Sequence, residues 1–202
     1  MKYIVKNGTN DNVLVLLHGT GGDAYNLLEL ADYLDPAATK IGTEGDIVED
    51  GMRRYFERNP DGSFVEESLM RETTVLYETI AEALEESDLT EKNVILVGYS
   101  NGSNIALNIL KEYETNYRVA LLFHPSSVRP GVPFKKQHKL KLLITSGEND
   151  PFITMDQYQE LSDELKESDI DFESLVHGNG HSLIHEELEA GKNLIARLNE
   201  EK

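Results

Sequence analysis

Continuous apolar runs that alternate with helical patterns constrain the fold of this chain more than any other feature of its sequence. The runs include VLVLL, VILV, VALLF and LLIT, and none shows the polar alternation of a half-exposed strand. Strands that are apolar throughout are typical of a parallel sheet that helices cover on both faces. The sequence therefore predicts an α/β fold with a doubly wound, mostly parallel sheet, in a single domain over residues 1–202.

Two segments depart from this alternation. The runs YIVK and NVLVLLHG flank NGTNDN, whose Asn-Gly and Asp-Asn pairs favour a turn, so an N-terminal antiparallel hairpin is predicted. The stretch GTEGDIVEDGMRRYFERNPDGSFVEESL shows neither a strand nor a helix period and is predicted to be irregular. The chain is too short for a large lid domain, so this stretch is expected to form much of any pocket wall.

Charge and composition exclude several classes of function. The chain carries 37 acidic against 19 basic residues, a net charge of −18, which argues against nucleic-acid partners and anionic membranes. There is no cysteine, which excludes a disulfide scaffold, a thiolate nucleophile and cysteine-ligated zinc. The N-terminal stretch has no apolar run typical of a signal peptide, and no later run is long enough to span a membrane. We therefore expect a cytoplasmic protein.

The stretch GYSNG, residues 98–102, stands between an apolar run and a helical pattern. Ligands of doubly wound sheets bind beyond the carboxyl ends of the strands, so residues in such places carry the chemistry. A G-x-S-x-G turn lifts a serine hydroxyl clear of the sheet, and glycine is needed on both sides because bulky neighbours would clash. We therefore interpret Ser100 as a nucleophile rather than as a helix N-cap. A phosphate loop is disfavoured because neither G-x-G-x-x-G nor a Walker lysine is present.

The stretch SGENDP follows the next-to-last apolar strand and carries the acidic residues that could orient a histidine. Asp150 is the preferred candidate, because Pro151 fixes the turn behind it. Glu148 and Asp156 are alternatives. Asp150 could also act only as a cap of the turn or helix that follows.

The stretch HGNGHSLIHEE follows the last strand and carries the candidate general base. His181 lies between a glycine and a serine just ahead of a helix, so it fits best. His177 is expected at the strand end, and His185 is expected inside the helix. A metal site at His181 and His185 is disfavoured, because Ser182 stands where zincins carry a glutamate.

A glycine-rich turn in LLHGTGGD follows an early strand and can present a backbone N–H to an oxyanion. Thr20 is the predicted donor, with Gly19 or Gly21 as alternatives. The second donor is the N–H of Asn101, the residue after the nucleophile. His18 lies at the strand end before this loop, which favours a structural, orienting role over a catalytic one.

These four motifs, in this order and at this spacing, resemble the phospholipase/carboxylesterase family of α/β-hydrolases, which includes small bacterial carboxylesterases and acyl-protein thioesterases. The similarity covers nearly the whole chain and is greatest to bacterial hydrolases associated with quinone and hydroquinone resistance. The resemblance implies an α/β-hydrolase fold without a large lid, and a catalytic triad of Ser100, Asp150 and His181. It also implies Thr20 and Asn101 as oxyanion donors, a broad-specificity esterase, and compatibility with a homodimer.

The expected function is therefore a serine carboxylesterase that hydrolyses small, short-chain esters through an acyl-enzyme, without cofactor or metal. Two alternatives remain: a non-catalytic small-molecule-binding protein on this scaffold, and a thioesterase or lactone hydrolase with the same triad. Arg53 and Arg54 could engage an acidic substrate group or be solvated charges. The candidate pocket residues, each of which could equally be core, are Met52, Tyr55, Phe56, Phe64 and Phe152.

Overall fold

The computed structural model describes residues 1–200, and a seven-stranded sheet runs through its centre in the order β1-β3-β2-β6-β7-β8-β9. The strands are β1 (Lys2–Lys6), β2 (Asn12–Leu17), β3 (Thr39–Glu44), β4 (Ile47–Glu49), β5 (Met52–Arg54), β6 (Asn93–Tyr99), β7 (Val119–Phe123), β8 (Lys141–Gly147) and β9 (Asp171–His177). The helices are α1 (Leu28–Leu34), α2 (Glu66–Glu86), α3 (Asn101–Glu112), α4 (Met155–Glu167) and α5 (His185–Glu200).

Helices cover both faces of the sheet, as the continuous apolar runs predict. Along β2, Val13, Val15 and Leu17 pack with residues of α2, α3 and α4, whereas Leu14 and Leu16 pack with residues of α1 and α5. This division follows from the pleat, which points successive side chains to opposite faces. Six strands of this sheet, β3, β2, β6, β7, β8 and β9, run parallel to one another, so the predicted doubly wound, mostly parallel sheet is confirmed.

The N-terminal strand is antiparallel, but its neighbour differs from the expected one. Strand β1 pairs with β3 and not with β2, so the hairpin predicted from NGTNDN is wrong as a pairing of β1 with β2. Instead of closing a tight turn, the N–H groups of Thr9 and Asn10 bind the carbonyl of Ala37, at 2.7 and 3.2 Å. The connection therefore passes over the start of β3, and the buried β2 has β3 and β6 along its two edges.

An antiparallel hairpin does occur in the segment predicted to be irregular. Strands β4 and β5 pair through Ile47–Glu49 and Met52–Arg54 and are joined by Asp50 and Gly51. Both of these residues have positive φ, 51° and 78°, as a type I′ turn requires. An Asp-Gly pair between two strands is a strong hairpin signal, so this element was present in the sequence and was missed.

The strand order reverses beside β2, and this reversal determines where a site can form. The chain leaves β2 to form β3 on one side, and after α2 it returns to form β6 on the other side. Crevices in doubly wound sheets open at such a switch point, beyond the carboxyl ends of the strands. Here the aligned ends are Leu17 of β2 and Gly98 of β6, so the loops that follow both strands lie side by side.

None of the helices within residues 1–200 combines the length and the apolar character that crossing a membrane requires.

Candidate active site

Ser100 occupies a strained turn between β6 and α3. Its φ and ψ are 52° and −112°, a positive φ that is uncommon outside glycine. Its N–H donates to the carbonyl of Phe123 at 2.9 Å, which ties the turn to the end of β7. Although Ser100 stands at the N-cap position, its side chain makes no capping hydrogen bond. The hydroxyl therefore does not cap the helix, which was the alternative interpretation of Ser100.

The two glycines of GYSNG are required by close backbone approaches. A Cβ at Gly102 would lie 2.0 Å from the carbonyl oxygen of Leu17, and one at Gly98 would lie 2.8 Å from the backbone of Ser103. Both distances are far below van der Waals contact. The turn can therefore lie against the end of β2 only when these two positions carry no side chain.

We expect Gly102→Ala to lower the free energy of unfolding by about 3 kcal/mol or more, because the clash is with the backbone of a central strand. Gly178→Ala is the matched control, since a Cβ there would meet its nearest atom, Glu148 Oε2, only at 4.0 Å. Urea unfolding of both variants measures the difference. A Gly102→Ala protein as stable as Gly178→Ala would contradict this packing.

The structure brings Ser100, His181 and Asp150 together from three different loops. The Oγ of Ser100 lies 2.9 Å from Nε2 of His181, and Nδ1 of His181 lies 2.6 Å from Oδ2 of Asp150. A carboxylate accepts hydrogen bonds only, so it assigns the proton of the neutral imidazole to Nδ1. The lone pair of Nε2 then faces the serine hydroxyl and can accept its proton.

The carboxylate of Asp150 is completely buried and held by several donors. Its Oδ1 accepts from the N–H groups of Phe152 and Ile153, at 2.8 and 3.2 Å, so the residue also shapes the turn behind it. Burial raises the pKa of Asp150, but hydrogen bonds from His181, from the Phe152 N–H and from His124 outweigh it and lower that pKa below its usual value. Asp150 is therefore ionised at neutral pH.

The other acidic and histidine candidates lie elsewhere. Glu148 is exposed at the turn after β8, and Asp156 lies in the first turn of α4. His177 ends β9 and His185 begins α5, as the sequence predicts for both. The loop that carries His181 is instead fixed at the site, because the hydroxyl of Tyr99 donates to the His181 carbonyl at 2.7 Å.

The loop after β2 lies beside this group and offers backbone donors. The N–H of Gly21 is committed to the carbonyl of Arg53 at 2.7 Å, which removes Gly21 from the candidate oxyanion donors. The side chain of Thr20 accepts from Nη2 of Arg54 at 3.3 Å, which ties this loop to β5. Asn101 is the first residue of α3, where the backbone N–H has no intrahelical acceptor.

His18 has a structural position, as its place in the sequence predicts. Its Nε2 accepts from the N–H of Gly45 at 3.1 Å, so its proton is on Nδ1, 2.6 Å from the carbonyl of Gly19. The ring stacks on Tyr55 with centroids 4.7 Å apart. Burial lowers the pKa of His18, which keeps the ring neutral. The imidazole thus connects the loop after β2 to the segment that follows β3.

The candidate pocket residues divide into two groups. Met52 lines an open cavity of about 760 Å³, and Phe152 is 70% exposed with its ring 5.0 Å from that of His181. Tyr55 and Phe56 are corrections, because both are completely buried in the core and cannot line an open pocket. Phe64 packs edge-on against Phe56 at 5.0 Å on the margin of that core. The residues around the cavity are Thr20, Glu49, Asp50, Met52, Arg54, Arg58, Asn59, Pro60, Asp61 and Gly62.

Arg53 and Arg54 are both engaged within the protein. Arg53 donates to the carbonyl of Gly45 at 2.8 Å and lies 3.5 Å from a carboxylate oxygen of Glu44. Arg54 is buried and pairs with Glu49 at 2.7 Å. Their charges therefore support the β4–β5 hairpin and the neighbouring loop, and the Arg54 guanidinium is buried while the Arg53 side chain stays 34% exposed.

One buried cluster was not identified from the sequence. His124 follows β7, and Glu187 lies in the first turn of α5. Residues that could hold a metal ion form two overlapping groups here, one of His124, Asp150 and His181 and the other of His124, His177 and Glu187. A signal existed for Glu187, because it shares the apolar face of α5 with buried leucines, where an acidic residue is unexpected.

Known proteins resemble this chain over nearly its whole length. Residues 62–199 match the dienelactone hydrolase family. The chain is 38% identical over 192 residues to "Putative hydrolase MhqD" of Bacillus subtilis (strain 168), covering 95% of this chain and 96% of that protein. It is 34% identical to the crystal structure of the Bacillus cereus carboxylesterase, with a TM-score of 0.93, covering 98% of this chain and 94% of that one.

The fold extends to more distant proteins. SOBER1 of Arabidopsis thaliana is 19% identical with a TM-score of 0.73, covering 92% of this chain and 97% of that one, a likeness of fold alone. The family match and the two more similar relatives establish family membership as well as the fold, since each covers over two thirds of the chain. The chain therefore belongs to the dienelactone hydrolase family and is a carboxylesterase-like α/β-hydrolase.

Proposed function

We propose that the protein is a serine carboxylesterase that hydrolyses small, short-chain carboxylic esters through an acyl-enzyme. The observation that carries this proposal is the line of contacts from Ser100 Oγ to His181 Nε2, at 2.9 Å, and from His181 Nδ1 to Asp150, at 2.6 Å. A hydroxyl, a base and a carboxylate in this order make up the machinery of acyl transfer.

In the acylation step, Ser100 Oγ attacks the ester carbonyl carbon while His181 Nε2 takes the hydroxyl proton. The Asp150 carboxylate stabilises the resulting imidazolium through Nδ1–H. The carbonyl oxygen becomes an oxyanion, which the N–H groups of Thr20 and Asn101 stabilise. The bond to the alcohol then breaks, and the alcohol oxygen leaves with the proton from Nε2.

Deacylation repeats the same proton transfers with water. His181 Nε2 removes a proton from a water molecule as its oxygen attacks the acyl carbon. The second tetrahedral intermediate uses the same two N–H donors. It collapses when the bond to Ser100 Oγ breaks, and the oxygen recovers the proton from His181. The products are the free acid, the alcohol and the unmodified enzyme.

The open cavity meets the proposed site only at Thr20, and an acyl chain that extended from Ser100 past Thr20 would enter it. It is open, and charged or amide side chains from the β4–β5 hairpin and the turn after it form much of its wall. A buried methylene contributes about 0.8 kcal/mol only where apolar groups surround it. A long acyl chain would therefore gain little binding energy here.

We expect kcat/KM for p-nitrophenyl acetate and butyrate to exceed that for the decanoate by about tenfold or more, since each added methylene would remain in contact with water or polar groups. Initial rates at equal concentrations, below the solubility limit of the decanoate, measure the ratio. Faster turnover of the decanoate would overturn the short-chain assignment while leaving the serine mechanism in place.

The serine mechanism is tested by covalent labelling. A fluorophosphonate probe should modify the protein, and mass spectrometry of the digested adduct should locate the label on Ser100. A protein that takes no label and hydrolyses no ester, thioester or lactone would instead support the binding-protein alternative.

A lactone hydrolase with the same residues is the second candidate, which the match to the dienelactone hydrolase family favours. Ring opening uses the same acylation step, with the leaving alkoxide tethered to the acyl group. Parallel kcat/KM measurements on an aryl acetate and on dihydrocoumarin separate the two. A large excess of lactone turnover would select this candidate.

A further inference from the structure

His124 stands behind the carboxylate of Asp150, on the side away from Ser100. Its backbone has a φ of 51°, which is uncommon for a residue with a side chain, and its N–H donates to the carbonyl of Thr145 at 3.1 Å. Its side chain is completely buried. A strained backbone and a buried, ionisable ring directly after a central strand are features of functional positions.

The ring of His124 lies between two buried carboxylates. Its Nδ1 is 3.0 Å from Asp150 Oδ2, and its Nε2 is 3.1 Å from Glu187 Oε1, although the second contact is not a well-aligned hydrogen bond. Both carboxylate side chains are completely buried. A neutral imidazole has one N–H and one lone pair, so it would direct its lone pair at one of the two carboxylates. An imidazolium offers an N–H to each.

Glu187 is surrounded by donors in the same way as Asp150. Oε1 accepts from the Thr145 hydroxyl, Oε2 accepts from the Ile184 N–H at 2.7 Å, and His177 Nε2 lies 3.3 Å from Oε2. Burial raises the pKa of Glu187, but its partners, with His124 first, outweigh it and lower that pKa. Glu187 is thus held as a carboxylate.

The charge of His124 follows from its two neighbours. Burial lowers the pKa of His124, and the hydrogen bonds and charges of Glu187 and Asp150 outweigh burial, so the pKa lies above its usual value. The remaining groups that face this ring are His181 and His177, at centroid distances of 5.1 and 5.6 Å, and Tyr99, at 6.0 Å.

We propose that His124 is a positioning residue of the serine mechanism, a buried imidazolium that bridges Asp150 and Glu187 and holds the Asp150 carboxylate against His181. This inference rests on the proposed function, since it assigns Asp150 to the orientation of the base. It extends the contacts behind Ser100 through His181, Asp150 and His124 to Glu187 on α5.

The bridge has two consequences at the site. Oδ2 of Asp150 accepts from both His181 and His124, so the position of that oxygen depends on both rings. The imidazolium of His124 also gives the buried Asp150 carboxylate a charged donor before His181 takes the serine proton.

Nuclear magnetic resonance tests the charge without any catalytic readout. In protein labelled with ¹⁵N-histidine, long-range ¹H–¹⁵N spectra at about pH 8 should show both His124 ring nitrogens protonated. An ordinary histidine is neutral at that pH. The His124 signals are those absent from His124→Gln. If that variant does not fold, the other histidines are replaced one at a time, and the signals that remain in every such variant belong to His124. A neutral pattern for His124 would overturn the proposal.

Glu187→Gln tests the functional consequence and keeps the shape of the side chain. Without the second carboxylate, His124 becomes neutral and Asp150 loses its charged donor. We therefore expect the ¹⁵N spectrum of this variant at about pH 8 to show a neutral His124 ring, and kcat to fall by about tenfold. Glu186→Gln makes the same change on the exposed side of the same helical turn and should leave both the His124 spectrum and kcat unchanged.

The remaining outcomes separate this proposal from its rivals. If Glu187 has a purely structural role, Glu187→Gln will lose activity while both His124 ring nitrogens stay protonated, which would overturn the proposal. Stoichiometric transition metal in the purified protein, lost in His177→Ala, would overturn it too, because a ligating His124 nitrogen carries no proton. A wild type that shows a charged His124 but takes no fluorophosphonate would refute the proposed function and leave the charged bridge standing.

Discussion

Ser100→Ala should lower kcat for an aryl acetate by about 10⁶-fold, the loss measured when the nucleophile of a comparable triad is removed. The variant has no atom that can form the acyl-enzyme, although the oxyanion donors and the other contacts to the substrate remain. Residual hydrolysis above the uncatalysed rate is expected from those parts alone. Stopped or overnight assays at high enzyme concentration, with fluorophosphonate labelling run beside them, measure both effects.

Ser182→Ala is the matched control for this variant. Ser182 is exposed and directly follows His181 in the chain, so the same chemical change is made beside the base without touching its contacts. Activity and labelling of the control should remain at the wild-type level. A Ser100→Ala protein that keeps more than about one hundredth of wild-type kcat would sink the nucleophile assignment, because one missing donor alone can cost that much.

Asp150→Asn should lower kcat by about 10⁴-fold, as the corresponding change does in a serine protease triad. An amide nitrogen directed at His181 Nδ1 favours the tautomer whose proton is on Nε2, and Nε2 can then no longer accept the proton of Ser100. In this protein the variant also removes a charge that His124 faces at 3.0 Å. The loss should therefore include a change in the charge of His124.

Asp156→Asn serves as the control, because Asp156 was the alternative carboxylate in the sequence and lies at the start of α4. Its activity should stay within about twofold of wild type, as is usual for an exposed side chain with only a weak helix-dipole interaction. Thermal unfolding of Asp150→Asn, run in parallel, separates a lost rate from a lost fold. Equal activities of the two variants would show that Asp150 does not orient the base.

Secondary structure followed closely from the sequence where the apolar pattern was strong. The apolar runs VILV, VALLF and LLIT coincide with β6, β7 and β8, because period and burial agree in each. The pattern was weaker in the segment from residue 45 to 65. There the Asp-Gly turn was overlooked, and two short strands were predicted as an irregular segment.

Pairing between strands was predicted less well. The sequence of β1 reads as a strand, and the turn residues after it favoured β2 as the neighbour. In the structure β1 lies at the sheet edge against β3. The reason is physical. Strand β2 is apolar on both faces and buries more apolar surface when it lies between two strands, whereas β1 is partly exposed and suits the edge of the sheet.

The pocket was the least accurate part of the sequence-based prediction. Tyr55 and Phe56 are aromatic residues in a loop-like segment, and such residues can line a cavity or enter the core with equal ease. The structure places both in the core, where Tyr55 also donates to the carbonyl of Thr43 at 3.1 Å. Only the packing of the whole domain distinguishes the two outcomes.

The sequence by itself determined the local elements and the strand ends that carry Ser100, Asp150 and His181, because periodicity and turn chemistry are properties of neighbouring residues. Only the tertiary structure decided the strand order, the burial of the aromatic residues, and the contact of His124 with Asp150 and Glu187. Those contacts join residues distant in the chain, as Ser100 and His181 are, 81 positions apart. Hydrogen bonds and charges between such residues depend on how the sheet is assembled, which no local pattern specifies.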